Sequence, residues 1–241
     1  MALLNDDSFD ALLEGTSLGA QGARELRART PAFRARAARE MPSWWHRYSD
    51  MPPNIFTMYF VLESAASRIR AYEPHRMPGL MQTEAYARAV IGLGPRDVSG
   101  GAIDQQVALR MERRRRFFSG NVQKLGIVLE EAVVWRPYGS REVMRGQIHH
   151  LIDMSGWENV ELQILPFTAD RHARGSCAFA ILSFPEADQS DLVYREDFAG
   201  ALYTDRRSDV AQYELAMMKL RKDSLGPDGS RELLRDLLQR M

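Results

Sequence analysis

The chain has 241 residues, of which 45% are hydrophobic and 27% are charged, and these fractions are those of an ordinary globular protein. Lysine plus arginine and aspartate plus glutamate both number 32, so the net charge is zero and no global field favours nucleic acid or an anionic membrane. The single cysteine, Cys177, excludes a disulfide framework within the chain. Neither a signal peptide nor an apolar run of roughly 20 residues, the length that spans a bilayer, is present. We therefore expect a cytoplasmic protein that does not enter a membrane.

The first half of the chain has a helical pattern. Residues 8–39 are rich in helix-forming alanine, arginine and glutamate. From Ile55 to Tyr72, apolar residues recur at i, i+3 and i+4 spacing, which predicts one long helix. Further helices are predicted over Leu80–Ile91 and Ile103–Phe118, with a glycine-rich loop between them.

The second half alternates between strand and helix patterns. Short apolar runs predict strands over Lys124–Leu129, Val160–Leu165, Cys177–Phe184 and Leu192–Glu196. Helices are predicted over Glu142–Met154, Ser208–Leu225 and Ser230–Gln239. This order predicts an α+β protein, with a helical N-terminal half packed on a small mixed β-sheet and helices at the C-terminus.

Seven phrases of the sequence together resemble one protein family. They are PSWWHRY (42–48), LESAASRIRAYEPHRMPGLMQTEAYARAVI (62–91), ALRMERR (108–114), VLEEAVVWRPYGS (128–140), GQIHHLI (146–152), VELQILPF (160–167) and LVYREDFAGALY (192–203). The most specific part is the block formed by residues 78–83 and 86–88. In this order the phrases resemble the C-terminal effector domain of WhiJ-like, antitoxin-like Xre helix-turn-helix regulators of actinobacteria.

The resemblance implies a sensing or partner-binding role. In such regulators a helix-turn-helix domain comes first, and the C-terminal domain senses a signal or binds a small partner protein. Only about 40 residues precede the matching region here, and Phe9–Glu40 contains no helix–turn–helix pair with a central glycine. We expect residues 1–41 to form a helical N-terminal extension and residues 42–241 to form the effector domain, without direct DNA binding.

Two aromatic residues depart from the family pattern and suggest a ligand site. Trp135 and Tyr138 flank Arg136-Pro137, and aromatic side chains with a polar tip suit the stacking of a ligand. We expect the site to lie between the helical half and the sheet. Its predicted ligand-binding residues are Trp135, Arg136, Tyr138, Gln82, Tyr86 and Phe167.

Carboxylates near this region are candidates for acid or base chemistry. Glu131 follows an apolar strand and lies near Arg136, and Glu73 follows a segment that carries Arg68 and Arg70. A partly buried glutamate in a pocket can donate or accept a proton. The alternative, which the sequence alone favours, is that these groups form buried ion pairs holding the helical half to the sheet.

Cofactor and metal motifs are absent from the sequence. It contains no GxGxxG, P-loop, HExxH or CxxC pattern, and the adjacent His149 and His150 would point about 100° apart on a helix. His46, His75 and His172 are scattered along the chain. We therefore expect no cofactor and no metal. The run Arg113–Arg116 is interpreted as a solvated helix end rather than as a phosphate contact.

Three hypotheses about function remain open. The first is a domain that binds a small molecule or a partner without catalysis. The second is a cofactor-independent enzyme of cyclase or rearrangement type, recruited from the regulator scaffold in specialised metabolism, with Glu131, Glu73 and Tyr138 as catalytic candidates. The third is an antitoxin-like protein that sequesters a small partner protein. A homodimer is compatible with each of them.

Overall fold

The computed structural model describes residues 55–94, 100–119, 123–169, 177–185, 190–197 and 200–241. The helices are α1 (Ile55–Ala65), α2 (Glu84–Ile91), α3 (Gly100–Ser119), α4 (Glu131–Trp135), α5 (Arg141–Met154), α6 (Arg207–Asp223) and α7 (Pro227–Arg240). The strands are β1 (Arg68–Glu73), β2 (Lys124–Glu130), β3 (Val160–Leu165), β4 (Phe179–Ser183), β5 (Leu192–Asp197) and β6 (Gly200–Thr204). The predictions for residues 1–41, for the phrase at 42–48 and for the boundary between 41 and 42 lie outside the described ranges.

The strands form one mixed sheet in the order β3-β2-β1-β4-β5-β6. β1, β2 and β3 run parallel to one another, whereas β4, β5 and β6 continue the sheet by antiparallel pairing. The predicted α+β class is confirmed, since helices cover a mixed sheet rather than alternate with every strand. No helix within the described ranges is long and apolar enough to cross a membrane.

The prediction of one helix from Ile55 to Tyr72 is wrong in its second half. The helix ends at Ala65, and β1 lies at the centre of the sheet between β2 and β4. Successive side chains of β1 alternate between the faces of the sheet, and the guanidinium of Arg70 reaches Asp191 at 2.8 Å and Glu214 at 2.5 Å. Because both carboxylates are remote in sequence, the local pattern did not distinguish this strand from a continued helix.

Other boundaries differ by less. The predicted helix over Leu80–Ile91 is divided into a 3₁₀ turn, Gly79–Met81, and α2, which Thr83 caps by accepting a hydrogen bond from the backbone N–H of Tyr86 at 3.2 Å. The four predicted strands are present, β3 with the predicted bounds and the other three with slightly shifted ends, whereas β1, β6 and the short helix α4 were not predicted. Cys177 lies just before β4 and is only partly buried.

Two apolar layers lie on opposite faces of the sheet. The larger contains side chains from α1, α2, α3, α5 and α7 together with inward-facing strand residues such as Ile127 and Leu162. The smaller lies under α6, where Met217 and Leu220 pack against Tyr72. Burial of these side chains supplies most of the driving force for folding. The candidate site described below is on the face that carries the larger layer.

Gly139 is required by the turn that leads into α5. Its φ is +76°, and a Cβ there would lie 3.1 Å from Ala89 Cβ and 3.2 Å from Val143 Cγ1. We expect Gly139→Ala to lower the free energy of unfolding by about 1–3 kcal/mol, measured by urea denaturation, because it combines a disfavoured φ with a close contact. The matched control is Gly146→Ala on the exposed face of α5, where a Cβ meets nothing within 4 Å and should stabilise the helix. Equal effects of the two changes would refute this account of the turn.

Candidate functional site

The loop that follows β1 is the meeting point of four residues predicted from the sequence. Arg136 donates a hydrogen bond to the carbonyl oxygen of His75 at 2.8 Å, and the hydroxyl of Tyr138 donates to the same oxygen at 3.4 Å. Gln82 and Tyr86 contact the loop two residues further along, at Met77. The structure therefore brings Arg136, Tyr138, Gln82 and Tyr86 around one loop, and their role in ligand binding stays a prediction.

Gln82 and Tyr86 are almost fully buried, and both are engaged in contacts within the protein. The side-chain amide of Gln82 donates to Met77 O at 2.7 Å and accepts from Arg110 Nη1 at 2.7 Å. The hydroxyl of Tyr86 accepts from the backbone N–H of Met77 at 3.4 Å, and its ring lies 5.4 Å from that of Tyr138. Burial raises the pKa of Tyr86 above its ordinary range, so its hydroxyl stays protonated. Gln82 and Tyr86 therefore fix the backbone of the loop at Met77 from its buried side.

Three other predicted residues form a separate group. The carboxylate of Glu131 accepts hydrogen bonds from Trp135 Nε1 at 3.1 Å and from the backbone N–H of Phe167 at 2.8 Å. Trp135 and Phe167 remain 43% and 53% exposed. Oε2 of Glu131 thus ties the segment after β3 to α4, whereas Oε1 bonds to Trp135 within the same helix, and Arg136 bonds to the β1 loop instead. These contacts do not bring Glu131 to the β1 loop.

The contacts of the arginines of α3 contradict the interpretation of Arg113–Arg116 as a solvated helix end. Arg113 forms a bidentate pair with Glu63, with Nη2 at 2.7 Å from Oε2, and the side chains are only 10% and 5% exposed. Arg114 donates to the backbone carbonyl of Gln82 at 2.8 Å. Arg115 and Arg116 bond to Glu112, with distances of 2.8 and 2.6 Å. The first two arginines therefore face inward, and the last two form surface pairs.

Glu73, a predicted catalytic candidate, ends β1 beside a set of charged groups. It is partly buried, and this burial raises the pKa of its carboxyl to about 8; nearby Arg76 opposes the shift and Glu196 adds to it. Arg76 and Glu196 form an ion pair of 3.6 Å at the surface, with exposed fractions of 50% and 32%. The Glu73 carboxyl is therefore largely protonated at neutral pH, and the partly exposed ion pair of Arg76 and Glu196 is its charged neighbour.

Arg110 contributes a second cation from α3. It donates one hydrogen bond, to Gln82 Oε1, and among the described residues no carboxylate lies within ion-pair distance of it. Burial and the neighbouring charges of Arg113 and Arg76 lower its pKa to about 10. It therefore remains charged at neutral pH with most of its five donor positions unused. Arg113, one helical turn away, is fully engaged by contrast.

Tyr194 completes this group from β5. Its side chain is 8% exposed, and its ring packs 4.4 Å from that of Tyr59 and 5.1 Å from that of Tyr203. The hydroxyl approaches Glu196 and favours its ionised form, but it is buried and completes no hydrogen bond of normal geometry with the described groups. A buried hydroxyl without a partner destabilises a fold by about 1–3 kcal/mol, so this group calls for an explanation.

These five residues define the carboxylate–arginine cluster: Glu73, Arg76, Arg110, Tyr194 and Glu196. They come from the end of β1, the following loop, α3 and β5. Sequence reasoning identified only Glu73. A usable signal was present in LVYRED, where Tyr194 and Glu196 are two residues apart in a strand and therefore point to the same face of the sheet.

The histidines do not assemble into a site. His75 and His149 are exposed, and His150 lies on α5, where burial and nearby Arg114 lower its pKa to about 4. His46 and His172 lie outside the described ranges. Within those ranges no group of three histidine, cysteine, aspartate or glutamate side chains is placed to hold a metal ion.

Comparison with known proteins gives a family but no activity. The sequence model of a family described as "Domain of unknown function (DUF5753)" matches residues 56–236, which is more than half of the 241 residues and spans the sheet and the cluster. Domains of this family are commonly found with Xre-type helix-turn-helix regulators. No curated protein and no solved structure is significantly similar to the chain. On the extent of the family match, the chain belongs to the DUF5753 family.

Proposed function

We propose that this domain is a small-molecule-binding effector domain, derived from a WhiJ-like Xre regulator, whose ligand occupies the carboxylate–arginine cluster. One combination of observations carries the proposal. The buried hydroxyl of Tyr194 completes no hydrogen bond of normal geometry, and the guanidinium of Arg110 donates only one hydrogen bond to the described groups. Buried polar groups in native proteins nearly always have partners. A bound ligand supplies such partners for both groups.

The position of the cluster fits this role. Glu73 lies at the carboxyl end of a central parallel strand, and ligands of open sheets bind preferentially at such ends. Arg76 and Glu196 are partly exposed, and their ion pair is long at 3.6 Å. An exposed pair of this kind contributes at most about 1 kcal/mol, so it can open at little cost to admit a ligand.

The β1 loop offers a route from ligand binding to a partner. Arg76 belongs to the loop that Arg136 and Tyr138 hold through His75 O, and Gln82 links Arg110 to Met77 of the same loop. A ligand that binds Arg110 competes with its hydrogen bond to Gln82 and shifts the loop between arrangements of different stability. A small partner protein that recognises one arrangement of the loop would report this shift, and this is the regulatory route that we propose.

A cofactor-independent enzyme is the second candidate, and Glu73 is the observation that favours it. General acid catalysis requires a group that is still protonated at the working pH, and the carboxyl of Glu73 meets this condition because burial raises its pKa to about 8. In that case Glu73 donates a proton to the ligand, and Arg110 stabilises the charge that develops. Glu131 and Tyr138, the other catalytic candidates, are less favoured because each already has a partner in the protein.

Native mass spectrometry of the full chain, after equilibration with an actinobacterial metabolite extract, tests the proposal. We expect a retained small molecule that is lost in Arg110→Gln and Tyr194→Phe and kept in Arg115→Gln, an exposed arginine of the same helix. Retention that is equal in all variants would place the ligand elsewhere. Conversion of the bound species to a new mass or isomer over repeated turnovers would favour the enzyme.

A further inference from the structure

We infer that the ligand of the carboxylate–arginine cluster is a small organic monocarboxylate with a flat or apolar body. The inference rests on the proposed function and adds to it the chemical class of the ligand. It follows from the hydrogen-bonding groups that the cluster leaves unused, from its charge balance and from the rings that border it.

The unused groups of the cluster are donors. Arg110 can donate further N–H bonds beyond the one to Gln82, and the hydroxyl of Tyr194, although it approaches Glu196, completes no hydrogen bond of normal geometry with the described groups. Such a set is satisfied by an acceptor with two oxygens, and a carboxylate matches the planar fork of a guanidinium. A ligand that only donates hydrogen bonds would leave both groups unpaired.

The charge balance of the cluster determines how many negative charges its ligand should carry. Arg113 is neutralised by Glu63, and Arg76 is paired with Glu196, so Arg110 is the cation of the cluster without a carboxylate partner in the described part of the chain. One monoanion neutralises it. A dianion such as phosphate would leave the cluster with a net negative charge, because Arg76 can bind it only by leaving the carboxylate of Glu196 without its cation.

The protonation state of Glu73 makes the affinity of the cluster for an anion depend on pH. The charged and titratable groups around it are Arg76, Tyr59 of α1, and Tyr194 and Glu196 of β5. While its carboxyl is protonated it does not repel an anion and can donate a hydrogen bond to it. Ionisation above about pH 8 places a second negative charge beside the ligand, so the affinity for an anion should fall there.

Aromatic rings border the same place. Tyr59, Tyr194 and Tyr203 stand in a row, with ring centroids 4.4 and 5.1 Å apart between neighbours. These buried rings make the surroundings of the Tyr194 hydroxyl aromatic, and such surroundings favour the flat or apolar body of a ligand over a bare inorganic ion.

Matched pairs of fragments test the inference directly. The full chain is titrated with benzoate and benzamide, with phenylacetate and phenylacetamide, and with inorganic phosphate, and binding is followed by ligand-observed NMR. We expect the acids to bind at least about tenfold more tightly than their amides, since hydrogen bonds to a charged partner contribute about 1.5–3 kcal/mol. We expect phosphate to bind more weakly than benzoate.

Variants assign the binding to the cluster. Arg110→Gln should weaken the binding of benzoate by at least about tenfold, whereas Arg115→Gln should leave it unchanged. Glu73→Gln should remove the loss of affinity above pH 8. If Arg110→Gln fails to fold, Tyr194→Phe decides, because it removes an unpaired hydroxyl and should fold normally while weakening benzoate binding several-fold.

The results separate this inference from the proposed function. Amides that bind as well as acids, tighter binding of phosphate, or acid binding that survives both Arg110→Gln and Tyr194→Phe would overturn the inference. A neutral or cationic metabolite retained by the protein at this cluster would overturn it as well, while the binding function would stand. If neither the fragments nor the metabolite extract yield a ligand, both proposals fail.

Discussion

Glu73→Gln is expected to stabilise the protein above pH 8 and to have little effect near pH 4. The pKa of the carboxyl is raised from 4.5 to about 8 in the folded protein, chiefly by burial. Between these two values the folded state binds a proton that the unfolded state has released, so stability falls as pH rises through this window. Glutamine has the shape of the protonated acid and cannot ionise, so the variant does not lose this stability.

The size of the pKa shift of Glu73 sets an upper limit on the stability that Glu73→Gln can gain. A shift of this size corresponds to at most about 5 kcal/mol, and partial exposure of the side chain reduces the expected gain to about 1–3 kcal/mol. Arg76 and Glu196 flank Glu73, and the pKa of Glu196 is also raised by burial, so part of the gain comes from removing the repulsion between the two carboxylates. Urea denaturation at pH 4, 6 and 8.5 measures the free energy of unfolding for each protein.

Glu112→Gln is the matched control because its effect has the opposite sign. Hydrogen bonds from Arg115 and then Arg116 lower the pKa of Glu112 to about 2. Its contribution to stability is therefore present above about pH 4.5 and is lost as pH falls towards 2. Glu112→Gln should be less stable than the parent at pH 8.5. A constant effect of Glu73→Gln at all three pH values would show that burial does not shift its titration.

Arg113→Ala is expected to produce the largest loss of stability, about 3–5 kcal/mol. The change leaves Glu63 as an unpaired charge at a position that is 4% exposed. It also removes the guanidinium that lies 3.7 Å from the centroid of the Phe60 ring. Glu63→Ala should have a similar effect for the reciprocal reason. The free energy of unfolding in urea, read from fluorescence, measures both.

Arg115→Ala provides the comparison on the same helix. Arg115 is 63% exposed and, among the described residues, pairs with Glu112 alone in the adjacent turn, so its removal should change stability by less than about 0.5 kcal/mol. Replacing both members of the buried pair, in Glu63→Leu with Arg113→Met, should recover much of the loss, since no charge is then left buried and unpaired. Equal losses from Arg113→Ala and Arg115→Ala would contradict this view of α3.

Part of the candidate site was accessible from the sequence. Glu73 was identified because it is a carboxylate beside apolar residues near arginines, and that local signal survives in the structure. Gln82, Tyr86, Arg136 and Tyr138 were predicted as one group, and the structure brings them together at the β1 loop, while their role in ligand binding stays a prediction. What the sequence could not show is which of their polar atoms already have partners in the protein.

The sequence by itself determined the elements whose signals are local. The apolar runs at β2 and β3 and the stretch that begins after Ser140, which caps α5, specify their conformation through burial and capping within a few residues. Only the tertiary structure decided that the segment after Ala65 becomes β1, because the partners of Arg70 on Asp191 and Glu214 lie more than 100 residues away. Only the tertiary structure also assembles Arg110 and Tyr194 beside Glu73, since burial and hydrogen-bond satisfaction are properties of packed elements and not of any one segment.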